Sequence, residues 1–462
     1  MTHYDLAVIG TGSGNSIVDE RFADWRVAIL EDNLFGGTCL NVGCIPTKMF
    51  VYPANLARSA RHAPDLGVDT TYDGARWPEI RDRIFARIDP IAARGKTYRE
   101  GLNNVDVYDR HATFLDDHTL AVPGPDGGTG GQGSRITADQ IVIAAGSRVS
   151  VAGIPGLDQV DFHTSDTVMR LEELPRRMAI VGGGYVAAEF AHVFSALGTA
   201  VTQLQRGPVL LREQDEEIAR RFTETAGRQW DLRLGTTVSG VEQHGATIRL
   251  SLSDGSDLDT DVLLIATGRV PNGDRLALEN TAIDHKGGQV RVDEFQRTSV
   301  DGVWALGDVS SDHELKHVAN HEARTVQHNL LHPDALVASD HRFVPSAVFT
   351  SPQIASVGLT TQAARAQGIE HVSVVQDYAD VAYGWAMESR PGEYFVKLIG
   401  APGGERVLGA HIIGPQASVL LQSLIQGMSL GSTAYEMARG QYWIHPSLAE
   451  VVENALLKLA TN

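Results

Sequence analysis

Cysteine is the first scarcity. The 462 residues hold two, Cys39 and Cys44, which excludes a secreted scaffold stapled by disulfides. Lysine is nearly as rare: only six of the 39 basic residues are lysine. Positive charge as a whole is short, with 39 Lys and Arg against 57 Asp and Glu and a net charge of −18. Such a field repels phosphate, so nucleic acid and anionic membrane are poor main partners. No apolar run approaches the roughly 20 residues needed to span a bilayer. The first residues, Met1 to Asp5, carry no basic n-region or apolar h-region. No signal peptide is read there, and the expected location is cytoplasmic.

Glycine, by contrast, is plentiful: 47 residues, spread among apolar runs. That distribution implies tight turns and close backbone approaches rather than disorder. At 43% hydrophobic and 21% charged the chain is an ordinary globular one, long enough for about three domains.

Residues 4–9 form a short apolar run ending at Gly10-Thr-Gly12-Ser-Gly14-Asn15, and residues 26–31 form a second run ending in Glu31. Strand, glycine turn, helix, strand and acid is the dinucleotide-binding arrangement, with glycines for the turn and the pyrophosphate and an acid for the ribose. The pattern recurs at 178–181, followed by Gly182-Gly183-Gly184-Tyr185, a helical stretch through Ala196, and a strand over 200–206. One match alone is weak; two in matching contexts point to an α/β chain with two Rossmann-like nucleotide-binding domains. Strand-like runs at 141–146, 263–268 and 303–308 end in Gly146, Gly268 and Gly307-Asp308. Asp308 could bond a polyol or simply form a turn. Residues 123–134 read as a mobile Gly-rich surface loop. The last ~115 residues interleave strands (371–376, 394–399, 409–413) with helices (417–428, 448–459), an α+β domain on its own core.

Cys39 and Cys44 lie in Gly36-Gly-Thr38-Cys39-Leu-Asn-Val-Gly43-Cys44-Ile-Pro-Thr-Lys48. Residues five apart on a regular helix have Cα atoms about 8–9 Å apart, beyond the 4.4–6.8 Å of a disulfide. For the two to pair, Cys39 must precede, or sit in a distorted start of, any helix holding Cys44. Gly43 makes that distortion cheap. The alternatives are two free thiols or two metal ligands; the metal lacks further ligands at suitable spacing.

This segment resembles the active-site signature of the pyridine nucleotide–disulfide oxidoreductases. The double fingerprint, Ala266-Thr-Gly268-Arg269, Gly307-Asp308 and His445-Pro-Ser-Leu-Ala-Glu450 follow in the family's order, so the resemblance covers the whole chain. Within the family, residues 10–17 and Leu315-Lys-His-Val-Ala-Asn-His-Glu322 look most like the mycothione-reducing branch. Two departures stand out. Asn15 replaces the third fingerprint glycine, and the region Ile17–Trp25 is short and polar where the family carries an Ala-rich helix.

The resemblance implies an enzyme that uses FAD and NADPH to reduce a low-molecular-weight disulfide, mycothione first, with a dihydrolipoamide dehydrogenase or a glutathione reductase-like enzyme as alternatives. FAD would take Gly10, Gly12, Gly14, Glu31, Thr38 and Asp308, with Lys48 under the flavin and paired with Glu189, and the strand ends at Gly146 and Gly268 would pass close to a bound nucleotide. NADPH would take Gly182, Gly184 and the gate residue Tyr185. No acid ends the second strand at Gln205-Arg206; Arg206 and Arg212 suit a 2′-phosphate, or are a solvated basic turn. Cys44 would face the flavin and Cys39 attack the substrate, with the His445–Glu450 dyad supplied by the other subunit of a homodimer. No metal is implied. The implied division is 1–150 and 273–343 for FAD, 151–272 for NADPH and 344–462 for the interface domain.

Overall fold

A computed structural model describes residues 1–124 and 133–461. Most of the Gly-rich tract read as a loop, residues 125–132, lies outside the described residues. The chain divides into two compact units: Met1–Met49, Pro78–Ser150 and Gly268–His341 in one, Phe50–Trp77, Val151–Thr267 and Arg342–Asn462 in the other.

The first unit is built on a seven-stranded sheet. Strands Val105–Tyr108, Val27–Leu30, Thr2–Ile9, Ser134–Ile143 and Val303–Ala305 run parallel, and Thr119–Val122 and Thr113–Asp116 extend the sheet antiparallel beyond Ser134–Ile143. All four residues of Val27–Leu30 are buried, as a parallel strand covered on both faces requires. Alternation with a period of two sends Leu6, Val8, Val27 and Ile29 into one cluster with Ile17, Phe22 and Val326. Ala7, Ile9, Ala28 and Leu30 go to the opposite one, with Phe114 and Ile136. Each large side chain so buried contributes about 1.5–3 kcal/mol.

The expected helix after the first glycine turn is not there. Residues 14–25 hold two single 3-10 turns, Gly14–Ser16 and Glu20–Phe22. Long-range bonds explain the difference. Buried Arg99 donates to Asn15 Oδ1 at 2.8 Å and to the Asn15 carbonyl at 2.5 Å. Gln327 Nε2 donates to the Ile17 carbonyl at 2.6 Å and to Asp19 Oδ2 at 3.0 Å. Backbone groups that a helix would use internally are taken by side chains elsewhere.

The second unit contains a parallel sheet in the order Asp231–Leu234, Ala200–Gln205, Arg177–Val181, Val262–Ile265, Phe162–His163. A three-stranded antiparallel sheet spans 238–260. Its C-terminal part is a five-stranded antiparallel sheet (Pro345–Val348, Gln353–Gly358, Val407–Gly414, Phe395–Gly400, Val372–Asp377). Helices Ala417–Leu430 and Ala449–Ala460 share its core through Leu420, Leu424, Val452 and Leu456. Among the described residues, no helix is long and apolar enough to cross a membrane.

Candidate functional site

Parallel register brings four strand ends together in the first unit: Ile9 pairs with Leu30 and Ile143, and Ile143 with Ala305. Gly10–Gly14, Glu31, Ala144–Ser147 and Gly307–Asp308 leave from those ends. Gly10 has φ +103, and a Cβ there would lie 2.3 Å from the Ala144 carbonyl oxygen, so only glycine fits. A Cβ on Gly14 would lie 2.6 Å from that of Ala144, while one on Gly12 would meet nothing within 4 Å. Gly12 thus offers bare backbone to open space, the form a pyrophosphate approach needs. Glu31 accepts from Thr11 N at 2.9 Å, Thr11 Oγ1 at 2.5 Å and Asn33 N at 3.0 Å. Asp308 Oδ2 accepts from Ser147 Oγ at 2.6 Å, and Arg269 Nε lies 3.9 Å away. The Gly307 amide is held at 2.7 Å by the buried Glu322. Gly146 and Gly268 both have positive φ, +65 and +127. The bare turn and the two anchored carboxylates fit a flavin dinucleotide.

The cysteines sit where the chain breaks between two helices, Gly37–Asn41 and Cys44–His62. Val42, at φ −141 and ψ 12, ends the first, so Cys39 does precede the helix that holds Cys44. A Cβ on Gly43 would lie 2.8 Å from the Thr38 carbonyl oxygen and 3.1 Å from Cys39 Cα. Only a bare Cα lets the second helix start so close to Cys39. No disulfide links the two residues here; Cys39 is half-buried and Cys44 exposed. Their side chains are hydrogen-bonded, and this contact, then burial, pushes the Cys39 thiol up, while the Lys316 ammonium draws it down. Thr38 is exposed on the first helix, and Lys48 is half-buried, one turn past Cys44 on the same face.

Register does the same in the second unit, where Val181 pairs with Leu204 and Ile265. Gly182 has φ +142, and a Cβ there would lie 2.1 Å from the Ala266 carbonyl oxygen. Gly184 caps the helix Tyr185–Leu197, and a Cβ on it would meet nothing within 4 Å. Tyr185 is 40% exposed at the helix start. Arg206 is exposed directly after the strand; Arg212 is exposed and bonds Glu213 at 2.8 Å. Buried Glu189 accepts from the Phe349 amide at 2.9 Å.

His445 Nδ1 and Glu450 Oε1 are 2.7 Å apart. The Ser447 amide donates to Glu450 Oε2 at 3.1 Å. The His445 bond holds the Glu450 carboxyl below its usual range. With Nδ1–H engaged, the lone pair available for proton transfer is on Nε2. The His445 side chain is 72% exposed while Glu450 is 19% exposed, so the imidazole is presented outward. Exposed Tyr442 and Ile444 precede it in sequence.

Sequence reasoning passed over two charged groups. Lys316 opens the helix Lys316–Leu331 and its Nζ donates to Ser13 Oγ at 2.9 Å. Lys397 and Asp215 form an enclosed ion pair at 2.8 Å. The scarcity of lysine was the available signal for both.

The model of the pyridine nucleotide-disulphide oxidoreductase family matches residues 4–323, and that of its dimerisation domain matches 344–456. Mycothione reductase of Mycobacterium tuberculosis is 55% identical, covering 99% of this chain and 100% of that protein. Glutathione reductase of Burkholderia cepacia is 33% identical, covering 97% of each. Among solved structures, the Cu(II) complex of the HOCl-induced flavoprotein disulfide reductase RclA from Escherichia coli superposes with a TM-score of 0.86. It is 28% identical and covers 99% of this chain and 100% of that one.

Proposed function

Since the chain belongs to the pyridine nucleotide-disulphide oxidoreductase family, we propose that it reduces mycothione to mycothiol with NADPH as donor and FAD as carrier. The observation that carries the reaction type is the cysteine pair, held in hydrogen-bond contact across the Gly43 break beside the first glycine turn. The substrate rests on the relative that is 55% identical along nearly the whole chain.

The Gly10–Gly14 turn, Glu31, Thr38 and Asp308 would hold FAD, and Gly182, Gly184, Tyr185, Arg206 and Arg212 would hold NADPH. Bound flavin supplies the route by which two electrons from the reduced nicotinamide reach a disulfide. Lys48 would offer bound flavin a fixed ammonium where negative charge develops on reduction. Reduction opens Cys39–Cys44. The Cys39 thiolate attacks one sulfur of the substrate disulfide, forming a mixed disulfide and expelling the first thiol. His445 of the partner subunit would take the Cys39 proton on Nε2 as Cys39 attacks and hand it to that leaving sulfur, with Glu450 steadying the imidazolium in between. Cys44 then attacks Cys39, releases the second thiol and restores the internal disulfide.

The outward His445 and the exposed Val419, Leu430, Tyr435, Tyr442 and Ile444 of the C-terminal part support a homodimer in which each chain completes the other's site. The chain would divide functionally at 150, 272 and 343. Disulfide reduction suits a reducing compartment such as the cytoplasm. The deciding assay follows NADPH and NADH oxidation against mycothione, glutathione disulfide and lipoamide. Preferred turnover of mycothione with NADPH is expected; preference for NADH with lipoamide would overturn the reading.

A further inference from the structure

Lys316 is a cation in need of an anion. It is partly buried at the first position of its helix. Burial pulls its ammonium below the ordinary lysine range, and Cys39, Cys44 and Asp308 pull it back. Among the described residues its hydrogen bond goes to a neutral hydroxyl, Ser13 Oγ. Among the described residues it makes no ion pair with a carboxylate. A half-desolvated ammonium without a counter-ion is costly.

Backbone packing sets the turn that anchors Lys316 against the segment that leads into Cys39. Ser13 follows Gly12 in the first glycine turn, and a Cβ on Gly37 would lie 2.7 Å from Gly12 Cα. The turn and the start of the Cys39 helix are therefore in backbone contact. Cys39 lies two residues past Gly37, and the Lys316 charge reaches both sulfurs.

Reduction of the pair creates an anion there. Two electrons and one proton convert the disulfide into one thiol and one thiolate; the reduced pyridine nucleotide supplies the electrons. We propose that Lys316 is the counter-ion of the thiolate formed when the Cys39–Cys44 pair is reduced, a charge-stabilising residue of the redox site. This rests on the redox role given to the pair above.

The other anion within reach would be the pyrophosphate of bound FAD. Side-chain chemistry favours sulfur. Arginine's planar fork matches phosphate oxygens in pairs, whereas an ammonium is a compact point charge on a flexible stem. In a chain with six lysines among 39 basic residues, a lysine here matches a single-atom anion. Of the other charged groups nearby, Arg269 lies 3.9 Å from Asp308, Glu314 is raised by burial and by Asp308, and Lys48 lies one turn past Cys44 on the same face of its helix.

The test uses the FAD-loaded enzyme, reduced by two electrons. The long-wavelength thiolate–flavin absorbance is titrated with pH in the parent, Lys316→Met and Lys316→Arg. Alkylation by iodoacetamide is followed against pH on the same samples. In Lys316→Met both midpoints should rise by about one pH unit, a tenfold loss of thiolate at a given pH, and Lys316→Arg should recover most of it. Should Lys316→Met fail to fold, Ser13→Ala loosens the lysine's hydroxyl anchor and should raise the midpoints in the same direction by less. Midpoints unmoved in every folded variant overturn the proposal, and unmoved midpoints with a tenfold weaker hold on FAD assign Lys316 to the pyrophosphate instead. A parent that develops no such band overturns the redox reading itself, which separates the two failures.

Discussion

Replacing Lys397 by Met should remove one of the costliest charges in the second unit to lose. Lys397 lies on Phe395–Gly400 with its side chain 1% exposed, and the Asp215 side chain is 0% exposed. Asp215 Oδ1 takes Lys397 Nζ at 2.8 Å and the Glu217 amide at 3.1 Å; Oδ2 takes the Thr361 amide at 2.9 Å. Lys397→Met leaves that carboxylate enclosed without its cation, which costs about 3–5 kcal/mol. At about 2.1 cal/mol/K per residue, melting of all 462 residues as one unit converts this to a Tm loss of about 3–5 °C. Adding Asp215→Asn removes the enclosed stranded charge while keeping an oxygen for the helix cap; the other carboxylate on Lys397 Nζ, Glu217 Oε1 at 3.3 Å, is 37% exposed, so the double variant should recover at least half. The pair also predicts an acid limb. Burial pushes the Asp215 carboxyl up, but Lys397 and the Thr361 amide outweigh it and hold the group at about 2. Its unfolded value is about 3.9, so the stabilisation is present above about pH 4 and lost as pH falls toward 2. Calorimetry between pH 2 and 7 should show a steeper acid loss of Tm in the parent than in Lys397→Met. A loss under 1 °C at pH 7, or a double variant no better than the single, would refute the reasoning.

Changing Arg206 and Arg212 to Ala together should raise KM for NADPH at least tenfold and leave KM for NADH nearly unchanged, since charge-assisted bonds are worth about 1.5–3 kcal/mol each; steady-state kinetics with both coenzymes check this. Cys39→Ser should keep the long-wavelength band on reduction and Cys44→Ser should lose it; the reverse pattern exchanges their roles. Gly43→Ala forces a methyl to 2.8 Å from the Thr38 carbonyl oxygen and should slow closure of the cysteine pair, read as reoxidation of the reduced enzyme. Cys39→Ser and His445→Ala chains, each inactive alone, should regain activity when mixed under subunit exchange, because a mixed dimer holds one intact site; continued inactivity after proven exchange places His445 in its own chain's site.

Local signals carried much of this fold and local competition hid the rest. Gly10 and Gly182 were legible because each must bring its Cα under a carbonyl oxygen, 2.3 Å and 2.1 Å from a would-be Cβ, and no other residue can. The break before Cys44 was legible for the same reason at Gly43. The missing first helix was not, because what unmakes it comes from far along the chain: Arg99 is 84 residues from Asn15, and Gln327 is 310 from Ile17. No window of sequence shows a backbone carbonyl being claimed by a side chain that distant. Lys316 and Lys397 share that property, with partners 303 and 182 residues away. Both are lysines in a chain that otherwise chooses arginine. Where solvent supplies the counter-charge, either residue serves; in an enclosed site the choice between fork and point charge is set by the anion and the room around it. Residue identity against the chain's own background therefore carries information that motif and periodicity do not, and Lys316 and Lys397 are two such positions, one partly and one fully enclosed.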